Sequence, residues 1–257
     1  MMLRTTNALI LIAAYTASMG AMAQNSTDAM ASNQPVAETQ APVNTPVPVE
    51  VVSCKNPAAT PLSRFWELEP ASDCGTFGIR GYRPISLSVT GSDSVNTAPS
   101  SPSAGHTGSF QPYTTTETRI QLSVRTKVAQ GLLTGGDPNR LDSLWFAYSQ
   151  QSYWQLFNAE LSRPFRATDH EPELTYIFPL ESALPSGWRL RYGGVSLNHQ
   201  SNGQSLPLSR SWNRVIARAG LELGSKVAIN ASLWQRLPED ASDDDNPDIE
   251  DMVGRAE

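Results

Sequence analysis

Residues 120–128, Ile-Gln-Leu-Ser-Val-Arg-Thr-Lys-Val, constrain the fold more than any other stretch. Successive side chains of an extended strand alternate sides. Ile120, Leu122, Val124 and Val128 therefore share one face, and Gln121, Ser123, Arg125 and Lys127 share the other. A strand of this kind needs an apolar medium on one side and hydrogen-bonding partners on the other. A soluble sandwich meets the need by packing two apolar faces together, and a membrane barrel meets it by turning the apolar face to lipid. From Tyr82 onward the pattern recurs in segments of about ten residues, as membrane strands require. The segments are 144–154, 173–178, 188–201, 211–223 and 226–234, with Val227, Ile229, Ala231 and Leu233 forming another apolar face. Asp137-Pro138-Asn139 marks a turn. The expectation is an all-β, antiparallel chain of about seven strands. Tyr148, Tyr153, Trp154, Tyr176, Trp188 and Trp212 stand at strand ends, where aromatic girdles form in membrane barrels.

The only helix-like apolar run is Ala8 to Tyr15, preceded by Arg4 and followed by the small-x-small triplet Ala21-Met22-Ala23. It is too short to span a bilayer and reads as a secretory signal over 1–23, removed before Gln24. Residues 24–61 are rich in Ala, Pro, Thr, Asn and Val without periodicity, the composition of a disordered periplasmic linker. The folded domain is then 62–257. The chain has 39% apolar residues, so a bundle of hydrophobic helices is excluded. Its only cysteines, Cys54 and Cys74, are an even pair in an exported chain, which permits a disulfide around Phe65-Trp66.

The chemistry is concentrated in Asn198 to Arg214, NHQSNGQSLPLSRSWNR. Val195, Leu197, His199 and Ser201 have one strand parity, so a histidine and a serine two residues apart share the apolar face. After a turn rich in Gly, Pro and Ser, Asn213 shares its parity with Val215, Ala217, Ala219 and Leu221. If the two segments are antiparallel neighbours, His199 sits between Ser201 and Asn213, as nucleophile, base and orienting amide require.

This block resembles the signature of the outer-membrane phospholipase A family of Gram-negative bacteria. The resemblance rests on the run His199, Ser201, Asn202, Gly203, on Ser209 to Arg214 (SRSWNR), and on the spacing between them. It implies a transmembrane β-barrel of about twelve strands, a Ser-His-Asn triad facing the bilayer, phospholipid substrates, Ca²⁺ as cofactor and activity as a homodimer, with no nucleic-acid partner. Against that strand number this chain reads as C-terminally truncated. The resemblance further implies that the Gly203 N–H faces the oxyanion. Calcium would be bound by the Ser209 hydroxyl and the Gln204 carbonyl of one subunit and by the Ser162 hydroxyl of the other. The family commonly has arginine where Gln204 stands, a change that leaves a carbonyl ligand intact. Asp245, in the acidic run 243–248, matches an acid associated with calcium in the monomer, and Gln150 matches a glutamine at the dimer contact. His106 and His170 lack paired spacing and read as loop histidines. A noncatalytic barrel and a soluble periplasmic serine esterase are the competing classes. The intact triad residues speak against the first and their apolar parity against the second.

Overall fold

A computed structural model describes residues 56–103, 107–135, 137 and 140–257. The expectations for the signal, for linker residues 24–55, and for Cys54, His106, Pro138 and Asn139 lie outside them. Among the described residues the first element is a short helix, α1 (Pro61–Trp66), which is followed by β1 (Ile79–Gly81) and β2 (Ser86–Gly91). Six longer strands follow: β3 (Thr116–Gln130), β4 (Ser143–Trp154), β5 (Ala167–Ala183), β6 (Trp188–Ser201), β7 (Ser211–Leu223) and β8 (Val227–Arg236). A last helical turn, α2, spans Ile249–Val253.

All eight strands belong to one antiparallel sheet, in the order β1-β3-β4-β5-β6-β7-β8, with β2 also pairing to β3. Among the described residues the sheet does not close on itself. The expected bounds of β6 and β7 coincide with the observed ones. β5 runs 17 residues, well beyond the expected 173–178, because its first half carries Asp169, Glu171 and Pro172, which disguise its alternation. Among the described residues the strand count is eight rather than about seven, since β1 and β2 are short and largely exposed and show no period to read.

The sheet's two faces decide between sandwich and barrel. Val195, Leu197 and Leu233 are 47%, 54% and 63% exposed, and Leu122, Val124, Phe146 and Leu174 on the same side are also exposed. The opposite side buries Ser123, Lys127, Ser149, Glu173, Thr175, Ser196 and Asn198. A soluble sandwich would bury the first set and solvate the second. The observed inversion is that of a barrel with an outward apolar band and a polar interior. Two expected girdle aromatics prove inward: Trp212 is buried and donates to Gln200 Oε1 (3.2 Å), and Tyr153 Oη lies 2.6 Å from the Gln151 side-chain amide.

Inside, charge is balanced residue by residue. Glu173 accepts from Tyr82 Oη (2.6 Å), Arg218 Nη2 (2.8 Å), Asn198 Nδ2 (3.1 Å) and Thr175 Oγ1 (2.7 Å). Glu171 binds Arg83 (2.6 Å) and Arg214 (2.7 Å). Such groups remain charged in a low dielectric only when paired.

The apolar core is small and sits on this polar face, built around α1. Leu62, Trp66 and Leu68 cluster with Trp145, Ile177 and Tyr192, and the Trp66 ring meets those of Trp145, Tyr192 and Tyr82 edge-on. Thr60 Oγ1 caps the helix by accepting from Ser63 N, and Pro61 occupies the first helical position, where its missing N–H costs nothing. The helix is fastened to both sides of the sheet. Leu62 N donates to Glu222 Oε1 (2.7 Å) and Arg125 donates to the Phe65 carbonyl, while Lys127 joins Glu67 (2.7 Å) and Asp73 (2.6 Å). A Cβ on Gly220 would overlap the Tyr192 ring and lie 2.8 Å from Leu62, so only glycine lets this core form. Cys74 is disulfide-bonded, in line with the expected bridge.

Candidate active site

The antiparallel pairing of β6 and β7 places His199 opposite Asn213 and Ser201 opposite Ser211. The loop between the strands sets this register. Asn202 is buried, and its N–H donates to the Arg210 carbonyl (3.0 Å) while its Oδ1 accepts from Arg210 N (3.0 Å). Its Nδ2 also donates to the Leu208 carbonyl (2.8 Å). Gly203 then turns the chain at φ +62°, a left-handed conformation suited to glycine. Asn202 was legible only as part of the motif, and its structural role is to hold the loop shut beside Ser201.

His199 Nδ1 lies 2.8 Å from Asn213 Oδ1. Asn213 Nδ2 in turn donates to Glu239 Oε1 (2.7 Å). These two contacts fix the tautomer. A carboxylate only accepts, so the amide must turn its NH₂ to Glu239 and its oxygen to His199. A carbonyl oxygen also only accepts, so the Nδ1 of His199 carries the proton and Nε2 is the basic nitrogen. Ser201 projects from the same outward face two residues on, and all three side chains are half-buried. Glu239 escaped sequence reasoning. The available signal was the continuation of the outward parity of β8 through Gln235 and Leu237 to residue 239.

The row around Ser201 continues across the sheet: Gln150 pairs with His170, and His170 with Ser201. His170 is therefore not a loop histidine but a β5 residue on the outward face, with its Nδ1 2.6 Å from Tyr148 Oη. Gln150 faces outward as well, donating from Nε2 to Ser152 Oγ (3.1 Å).

Of the expected calcium ligands, Ser209 and Asp245 are brought together, the Ser209 hydroxyl donating to Asp245 Oδ2. Gln204 lies in the same loop, with its N–H donating to Asn202 Oδ1 (3.3 Å). Ser162 lies between β4 and β5, where its carbonyl accepts from Trp154 Nε1 (2.8 Å). Among the described residues no hydrogen bond joins it to Ser209 or Gln204 within one chain. Hydroxyl, carbonyl and carboxylate oxygens suit a hard cation. Among the described residues no Lys, Arg or His is within ion-pair distance of Asp245, leaving its charge open to one. Asp244 is already committed: it pairs with Arg236 (2.5 Å) and accepts from Asn246 N (2.9 Å). Desolvation opposes its ionisation, but Arg236 and that amide more than offset it and hold its carboxyl below the usual carboxylate range. No group of three or more His, Cys, Asp or Glu among the described residues is arranged to hold a metal without hydroxyl and carbonyl help.

Fold and site together define a class, a membrane-facing antiparallel barrel sheet with a histidine-amide pair beside a serine on its apolar side. The phospholipase A1 family model matches residues 62–257, and the chain belongs to that family. It is 42% identical over 200 residues to a Neisseria meningitidis serogroup B protein assigned as a phospholipase A1, covering 76% of this chain and 51% of that one. It is 39% identical over 138 residues to the phospholipase A1 of Escherichia coli K12, covering 54% of this chain and 44% of that one. The chain thus spans about half the length of these curated relatives. Among solved structures, the outer membrane phospholipase A from Escherichia coli superposes with a TM-score of 0.57 at 32% identity, over 70% of this chain and 69% of that one.

Proposed function

We propose that this chain is a calcium-dependent outer-membrane phospholipase that hydrolyses acyl esters of glycerophospholipids, at the A1 and A2 positions and in lysophospholipids, and is active as a homodimer. The observation that carries the reading is the His199 Nδ1 to Asn213 Oδ1 bond on the lipid-exposed face beside Ser201. Ser201 Oγ attacks the ester carbonyl as its proton passes to His199 Nε2. Breakage of the ester C–O bond follows, and His199 returns the proton to the leaving lysophospholipid oxygen. Water then attacks the acyl-serine with His199 again as base. The Gly203 N–H faces the oxyanion, and the apolar strand faces around the site keep bulk water from the acyl chain.

Ser209, Gln204 and Ser162 of the partner subunit would hold Ca²⁺, with Asp245 serving a single subunit. The bound cation supplies positive charge that a neutral third triad member does not. Among the described residues Ser162 makes no hydrogen bond to Ser209 or Gln204 within one chain, in keeping with a site completed across two chains. Chelation by EDTA is therefore expected to stop hydrolysis and to shift chemically crosslinked dimer to monomer, and Ser162→Ala should weaken both. A calcium-free monomer that turns over at full rate would sink the assignment of these ligands.

The triad members should also differ in weight. His199→Ala removes the base, whereas Asn213→Ala removes only its orientation, so the loss should be smaller in the second, by about tenfold or more. Initial rates on mixed micelles of phospholipid and detergent measure both. Equal losses would assign Asn213 more than an orienting role.

A further inference from the structure

Asn213 is an unusual third member because it carries no charge to match an imidazolium. Glu239 stands 2.7 Å behind it, on the amide nitrogen that His199 does not use. We propose that Glu239 is a positioning residue of the catalytic machinery, acting on His199 through the Asn213 amide. The proposal rests on the triad reading given above.

One backbone contact and the residue that follows it place Glu239. Leu237 N donates to the Asn213 carbonyl (2.8 Å), which anchors the segment leaving β8 against β7 at this residue. Pro238 follows and restricts the backbone. The Glu239 side chain is half-buried, and among the described residues no cation pairs with it. Its negative charge is therefore directed to the amide. A carboxylate accepting from Nδ2 polarises the amide and makes Oδ1 a stronger acceptor, since hydrogen bonds in a chain strengthen one another. The stronger acceptor favours the protonated imidazole that forms when Ser201 gives up its proton. A neutral amide thereby passes on part of the effect of a directly bonded carboxylate, while keeping the orientation that only the amide, donor on one side and acceptor on the other, can give. The other titratable side chains on the outward faces of the neighbouring strands are Tyr148, His170 and Tyr176. Tyr148 and His170 bond to each other, and Tyr176 donates to Asp142.

The test uses the full-length protein in mixed micelles with calcium, and compares wild type, Glu239→Gln, Asn213→Asp and the double variant. Glu239→Gln keeps an oxygen acceptor for Asn213 and loses only the charge. It should lower kcat by about tenfold with KM unchanged, and it should move the acidic limb of the kcat/KM profile to lower pH, because the imidazolium loses a stabilising anion. Asn213→Asp alone puts two carboxylates against each other and should be strongly impaired. In the double variant the side-chain amide introduced by Glu239→Gln can donate to the carboxylate introduced by Asn213→Asp, so activity should recover above that of Asn213→Asp alone. A merely structural role would lower folded yield and leave the pH profile in place. Wild-type kcat and pH profile in Glu239→Gln, or strictly additive losses in the double variant, would overturn the proposal. Ser201→Ala, run in parallel, separates the two levels: hydrolysis surviving that change removes the triad and Glu239's role with it, whereas loss there with an unchanged Glu239→Gln removes Glu239 alone.

Discussion

Ser201→Ala should reduce phospholipid ester hydrolysis by roughly 10⁴-fold or more, since removal of the nucleophile from a triad leaves only the residual rate given by binding and oxyanion donors. The protein should still assemble. Ser201 sits at the end of β6, half-buried, with its backbone paired to Ser211 and His170. None of these pairings needs the hydroxyl, and exposed substitutions of this kind change stability by about 0.5 kcal/mol or less. The measurement is the rate of fatty acid release, together with the heat-dependent gel migration that distinguishes folded from unfolded barrels. Retained hydrolysis would move the nucleophile elsewhere. Loss of folded protein would show that the hydroxyl has a structural role.

The largest stability effect is expected inside. Glu173→Leu removes the acceptor shared by Tyr82, Arg218, Asn198 and Thr175. Leucine offers no acceptor, so the Arg218 guanidinium is left largely buried, with only Ser196 (2.8 Å) and Ser232 (3.2 Å) as acceptors. Breaking one side of a buried pair costs about 3–5 kcal/mol because the remaining charge is uncompensated. Urea unfolding from lipid vesicles would read this as a lowered midpoint with an unchanged slope. Joint replacement, Glu173→Leu with Arg218→Met, should recover much of the loss. A single variant as stable as the native protein would mean that water already solvates this part of the interior.

What the sequence disclosed follows from where period-2 alternation is clean. Past the irregularity between Leu190 and Tyr192, β6 carries it cleanly against β7, and the facing of His199 and Asn213 can be read directly. β5 hides half its length because its inward positions are acids, which look like a loop until Arg214 and Arg218 of β7 and Arg83 of the β1–β2 connection arrive to neutralise them. His170 reads as a loop residue for the same reason. The parity of Trp212 and Tyr153 is available, yet their aromatic character suggests lipid, whereas Gln200, Gln151 and stacked arginines give them polar company indoors. Glu239 cannot be read from the motif at all. Parity gives its side of the sheet, but that it meets the Asn213 amide depends on how the chain leaves β8. The pairing of Ser209 with Asp245 is likewise absent from the local pattern, since 36 residues separate them.

The helix α1 has a consequence for the order in which the molecule is built. It is the first described element in the chain, yet Leu62 closes a bond to Glu222 across a separation of 160 residues, and Arg191 reaches Ser63 across 128. Its apolar side chains find partners only after β4, β5, β6 and β7 are side by side. Contacts so distant along the chain incur their loop-closure entropy before they return any stabilisation, so they form late and slow the whole process. The earliest-synthesised described segment must therefore wait, unpacked, until the hairpins from β3 to β7 have zipped together.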